Sequence, residues 1–127
     1  MNIDINIDIR WLSGVLPKEK LLEYAGVYID ALSAVQANLN QDPISKGNIR
    51  FSLDILDKLS LKDRKRISPP LTNDAISIEN VLDMIRKAKQ LMRGIGYDLG
   101  TKITDAILTC DNLIKDSINQ LKIIINL

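Results

Sequence analysis

The chain predicts an all-α domain, a four-helix bundle carrying an extended N-terminal arm. Three observations lead there. In the second half, apolar or small residues recur at Ile85, Ala88, Met92, Ile95, Leu99, Ile103, Ala106, Cys110, Leu113, Ser117, Leu121 and Ile124, always three or four apart. That spacing lies between a coiled-coil seam and an ideal α-helix. In the first half, Leu21, Ala25, Tyr28, Leu32, Val35 and Leu39 step in the same way. Only one short stretch, residues 2–9, alternates with the period of two that a strand requires.

The elements follow in order. Asn2, Asp4, Asn6 and Asp8 alternate with Ile3, Ile5, Ile7 and Ile9, which predicts an extended arm. A lone strand leaves its backbone groups unpaired. The candidate partners are the tail Lys122–Leu127, which could equally finish the last helix, and the same segment of a second copy. Asp4, Asn6 and Asp8 also mimic the start of a calcium loop, but Ile9 stands where the turn glycine belongs and Val15 where the bidentate glutamate belongs. Trp11 to Pro17 reads as a connection, with Ser13-Gly14 as its turn.

Helix one is expected from Pro17 to Asn38, with Glu19 complementing the positive helix end. Asn38 to Pro43 turns the chain. Helix two is most secure over Asn48 to Leu59, and Ser60 and Asp63 could cap a further turn. Pro69-Pro70 then forbids helix. Helix three is expected to start at Ser77 as N-cap, with Ile76 and Val81 as a hydrophobic staple, and to run to about Arg93.

Gly94, Gly96 and Gly100 would together cost a continuous helix ~3 kcal/mol relative to alanine. They favour a break, with Gly94 as the cap and Thr101 opening helix four, which runs to about Lys122. The alternative merges helices three and four into one rod ~60 Å long, because the apolar strip passes through in phase. Residues 1–16 thus form the arm and connection, and 17–127 the bundle, within one domain of 127 residues.

Composition narrows the chemistry. The chain has no histidine and one cysteine, which removes Ser–His and Cys–His catalysis, His-containing metal sites, internal disulfides and multi-Cys zinc sites. Glu19/Glu23 and Asp54/Asp57 are spaced as carboxylate pairs, but both fit the polar face of a helix. No phosphate-binding glycine loop occurs. Neither catalytic nor metal-ligating residues, nor a cofactor, are therefore expected, and the chain reads as a non-enzyme. Cys110 lies on the apolar strip as a core residue.

The net charge is +1, yet residues 62–93 hold eight basic and four acidic groups. Lys62, Arg64, Lys65, Arg66, Arg86, Lys87, Lys89 and Arg93 are candidate anion-binding residues. They support an alternative reading as a nucleic-acid-binding regulator, although no aromatic residues interleave with them. The favoured expectation is a non-enzymatic protein-binding module: an accessory, adaptor, chaperone or inhibitory protein. Helix four carries more apolar residues than one packed side needs, so Ile107, Leu108, Ile114, Ile118 and Ile125 are its candidate partner-binding residues. A homo-oligomer joined through the arm or the long helix is a further expectation. No apolar run approaches the ~20 residues that span a bilayer and no secretory signal is evident, so membrane association is not expected and the default location is the cytoplasm.

Overall fold

A computed structural model of the chain describes residues 5–60, 73–95 and 103–126. Within these it contains four α-helices and no strand: α1 (Lys18–Leu39), α2 (Lys46–Leu59), α3 (Asn73–Ile95) and α4 (Ile103–Asn126), preceded by a 3-10 helix over Ile9–Ser13. Each helix packs on two others, in the cyclic order α1, α2, α3, α4 and back to α1.

The apolar positions of α1 named above are its buried face. Its C-terminal Asn38 meets Asn48 at the start of α2, and its Tyr28 meets Leu59 at the end of α2, so the two run antiparallel. Helix α2 begins at Ser45, whose hydroxyl accepts from the Asn48 backbone N–H while the Asn48 side chain returns the bond to the Ser45 backbone. This reciprocal cap satisfies two donors that a helix start leaves open. It offsets the unfavourable Gly47 and sets the start two residues before the expected one.

The second half forms two helices, α3 and α4, and not one rod. Helix α3 runs through Gly94 to Ile95, so Gly94 is not its cap, and residues 96–102, with the expected helix-four start at Thr101, lie outside the described set. Cys110 Sγ donates to the Ala88 carbonyl at 3.5 Å. Ala88 stands seven residues before the end of α3 and Cys110 seven after the start of α4, so the pair forms an antiparallel hairpin. The strip keeps its phase across the gap because both helices face one core.

Two further local expectations, the start of helix three and the pairing of the arm, are corrected, and one alternative is decided. Helix α3 starts at Asn73, so Ser77 lies inside it and does not cap it; Ile76 is exposed and makes no staple. Of the two alternatives for the tail, the helical one holds: as far as Asn126 it completes α4. The arm itself forms no ladder over residues 5–9: Ile5, Ile7 and Ile9 lie half-buried against the helices. Alternation suits this arrangement too, since a segment laid on a helical surface also buries every second side chain.

Trp11 is no mere connection either. It is fully buried between Tyr24 and Tyr28, with ring centroids 6.1 Å and 5.5 Å away. The 3-10 helix is held by Asp8, whose carboxylate accepts from the Arg10 backbone N–H, and is closed by Gly14 at φ 64°. It packs on α3, next to the end of α2, which is at least eight residues shorter than the other helices. The N-terminal segment thereby covers apolar surface of α1 and α3 close to where α2 stops.

Candidate functional site

The α4 candidates separate. Ile114 and Ile118 belong to the core cluster, packed within this chain, and Ile107 is half-buried against it. Leu108 is exposed, but its outward neighbours on the helix, Asn112, Lys115 and Asn119, are polar, and a single exposed leucine is ordinary. Ile125 differs. The last turns of α4 carry the apolar Leu121, Ile123, Ile124 and Ile125, with the exposed Lys122 and Asn126 on the remaining side. The bundle covers only Leu121 and Ile124, leaving Ile123 52% and Ile125 38% exposed. The hairpin register brings Ile76, near the start of α3 and 48% exposed, to the same end.

Ile123 and Ile76 were not among the sequence candidates. The run Ile123-Ile124-Ile125 was the available signal, because three consecutive residues on a helix cannot share one buried side.

Among the described residues, three of the basic candidates face carboxylates. Lys62, Arg64, Lys65 and Arg66 lie outside the described residues. Lys89 is buried, with its Nζ 3.3 Å from Asp57 Oδ1 and 3.3 Å from Ser60 Oγ. Arg93 donates to the same Asp57 oxygen at 3.2 Å. Arg86 pairs with Asp83 one turn away at 3.5 Å. Of the four described members, only Lys87 is exposed without an ion pair among the described residues. Two of the four cations therefore stitch α3 to the end of α2, where positive charge also complements the C-terminal helix dipole.

The carboxylates tell the same story. Glu23 pairs with Lys20, Asp54 with Lys58, and Asp57 with the two cations of α3. Asp111, buried on α4, pairs with Lys115 at 3.2 Å and accepts from Asn40 at the end of α1. Among the described residues no three acidic or cysteine side chains converge as a metal site would need. Asp8 and Arg10 form a surface pair at 2.7 Å, which holds the Asp8 carboxyl below its ordinary range.

Two buried groups have shifted protonation. Burial pushes the Cys110 thiol up to about 11, so it is an unreactive core residue at neutral pH. Burial also pushes the Tyr28 hydroxyl upward, with the neighbouring Trp11 indole and the Arg86 charge acting against it. The Trp11 Nε1 group is buried with no acceptor in hydrogen-bonding geometry among the described residues.

A half-open groove of about 480 Å³ lies between α1 and α2, lined by Ala34, Ala37, Asn38 and Phe51. Its polar edge is already satisfied: Asn38 donates to the Ala34 carbonyl and accepts from Asn48. No described helix is long and apolar enough to cross a membrane. No protein-family model, curated protein or solved structure matches the chain.

Proposed function

We propose that this chain is a non-enzymatic protein-binding module acting in the cytoplasm, and that it binds through the end of the bundle where α3 begins and α4 finishes. The observation that carries the reading is the pair of exposed isoleucines in the last turns of α4, Ile123 and Ile125, at the end of the bundle that also holds the exposed Ile76. Isoleucines exposed on two flanks of a helix end leave apolar surface open to cover. A partner with its own apolar face, foreign or a second copy, would provide that cover.

The nucleic-acid reading is weaker on this geometry. Lys89, Arg93 and Arg86 already face carboxylates, and releasing them to phosphates would leave Asp57 and Asp83 uncompensated.

The test is the double variant Ile123→Asp/Ile125→Asp, with Leu108→Asp as control. Circular dichroism is expected to show the same helix content in all three proteins, because the substituted positions are exposed. Proteins that co-purify with the parent are expected to persist with Leu108→Asp and to be lost with the double variant. Identical partner sets for parent and double variant would refute the assignment of this surface.

A further inference from the structure

We infer that the outward face of α3 pairs with the same face of a second copy, the two helices running antiparallel about a two-fold axis level with Ile85. This face shares only Ile76 with the surface proposed above and does not involve Ile123 or Ile125.

Ile76, Asn80, Asp83, Lys87, Gln90 and Gly94 are all exposed and form one strip along α3, with steps of four, three, four, three and four residues. Any outward helix strip has that spacing. The order of residue types along it is what points to a second copy. A two-fold interface is self-complementary, so in an antiparallel pair each residue meets the one equally far from the axis on the other helix. About Ile85, Asp83 meets the partner's Lys87, Asn80 meets the partner's Gln90, and Ile76 meets the partner's Gly94. The first pair matches in charge, the second in hydrogen-bonding groups, and the third in shape. Symmetry makes each contact twice, over about 27 Å of helix.

The outer contacts fit as knob and hole. Ile76 is 48% exposed, and a Cβ built on Gly94 would meet nothing within 4 Å. The α3 backbone at Gly94 is therefore open to an incoming side chain.

The charges fix direction and register. Asp83 is held only by Arg86 of its own helix at 3.5 Å, and Lys87 has no ion pair among the described residues. A parallel pair would set Asp83 against Asp83 and Lys87 against Lys87, and sliding the antiparallel pair by one turn would separate Asp83 from Lys87. Exposed ion pairs add little affinity but discriminate strongly between arrangements. One helix face is also smaller than a stable interface needs. The complex is accordingly a weak dimer, populated at high protein concentration.

The test is an exchange of charges. Asp83→Lys and Lys87→Asp are made singly and together, with Asp116→Lys on the exposed side of α4 as control. Each single variant sets like charges opposite each other twice per dimer. Sedimentation over a concentration series is expected to show each single variant associating at least about tenfold more weakly than the parent. The double variant, the control and an equimolar mixture of the two single variants are expected to match the parent, since opposite charges meet again in the double variant and in the mixture. Circular dichroism should show unchanged helix content throughout, because every substituted position is exposed. Ile123→Asp/Ile125→Asp should also associate as the parent does; its loss of self-association would move the contact to the end of α4 and overturn the inference. Monomer mass for the parent at every concentration, single variants as tight as the parent, or no recovery in the mixture or the double variant would overturn it equally.

Discussion

The Tyr28 hydroxyl of α1 donates a 2.6 Å hydrogen bond to the backbone carbonyl of Leu59, in the last turn of α2. The same ring packs against Trp11. One side chain thus satisfies a carbonyl that a helix end leaves open and supports the 3-10 helix that carries Trp11.

Tyr28→Phe should keep the fold and lower its stability by about 1–2 kcal/mol, since the buried Leu59 carbonyl loses its donor. Urea unfolding followed at the helix band measures the loss. An unchanged midpoint would mean that another donor replaces the hydroxyl.

Asp57→Ala should cost more, about 2–3 kcal/mol, because Asp57 faces both the buried Lys89 and Arg93. Adding Lys89→Met to Asp57→Ala should recover part of that loss, since the double variant no longer buries a cation opposite the vacated site. A double-mutant cycle in denaturant gives the coupling, and strict additivity would refute the pairing.

Cys110 gives a pH prediction. Its thiol is pushed from 9.0 up to about 11 by burial. The native state therefore keeps the proton over a range in which the unfolded chain has lost it. Stability from this source is complete below pH 9 and declines as pH rises toward 11, by up to about 2–3 kcal/mol. Tyr28 adds a decline of the same sign at higher pH. Cys110→Ala should flatten the stability curve between pH 9 and 10. In the native protein at neutral pH, the thiol should react with soluble disulfides only as fast as the bundle opens.

Ile114→Asp and Leu108→Asp separate core from surface on one helix. The first places a carboxylate at a fully buried position and should unfold the domain. The second should change stability by no more than about 0.5 kcal/mol. Thermal melts of the two proteins decide it.

The helices were legible because their apolar spacing is regular: the predicted α1 residues are its buried face. The division of the second half into α3 and α4 was legible too, although Gly94, expected to cap helix three, lies inside α3. Starts were harder to read. Ser45–Asn48 forms a reciprocal cap although Asn48 stands where Glu or Gln is usual, and α3 begins four residues before the serine that most resembled a cap. The least legible features depend on distant partners. Nothing near Lys89 in the sequence reveals Asp57, so its charge looked available to an anion. Ile5, Ile7 and Ile9 looked like a strand because alternation records which side chains are covered, and not what covers them. The surplus of α4 was legible as a quantity, but its location needed the hairpin: Ile114 and Ile118 went inward, leaving the last turns exposed.

The Asp57 contacts also fix alignment. Leucines and isoleucines on facing helices can interlock at several offsets with similar gain. Sliding α2 by one turn along α3, about 5.4 Å, would carry Asp57 away from both the ammonium and the guanidinium it now serves. The cation sunk in the interface thus acts as an indexing pin, selecting one seating from several that oily surfaces alone would accept.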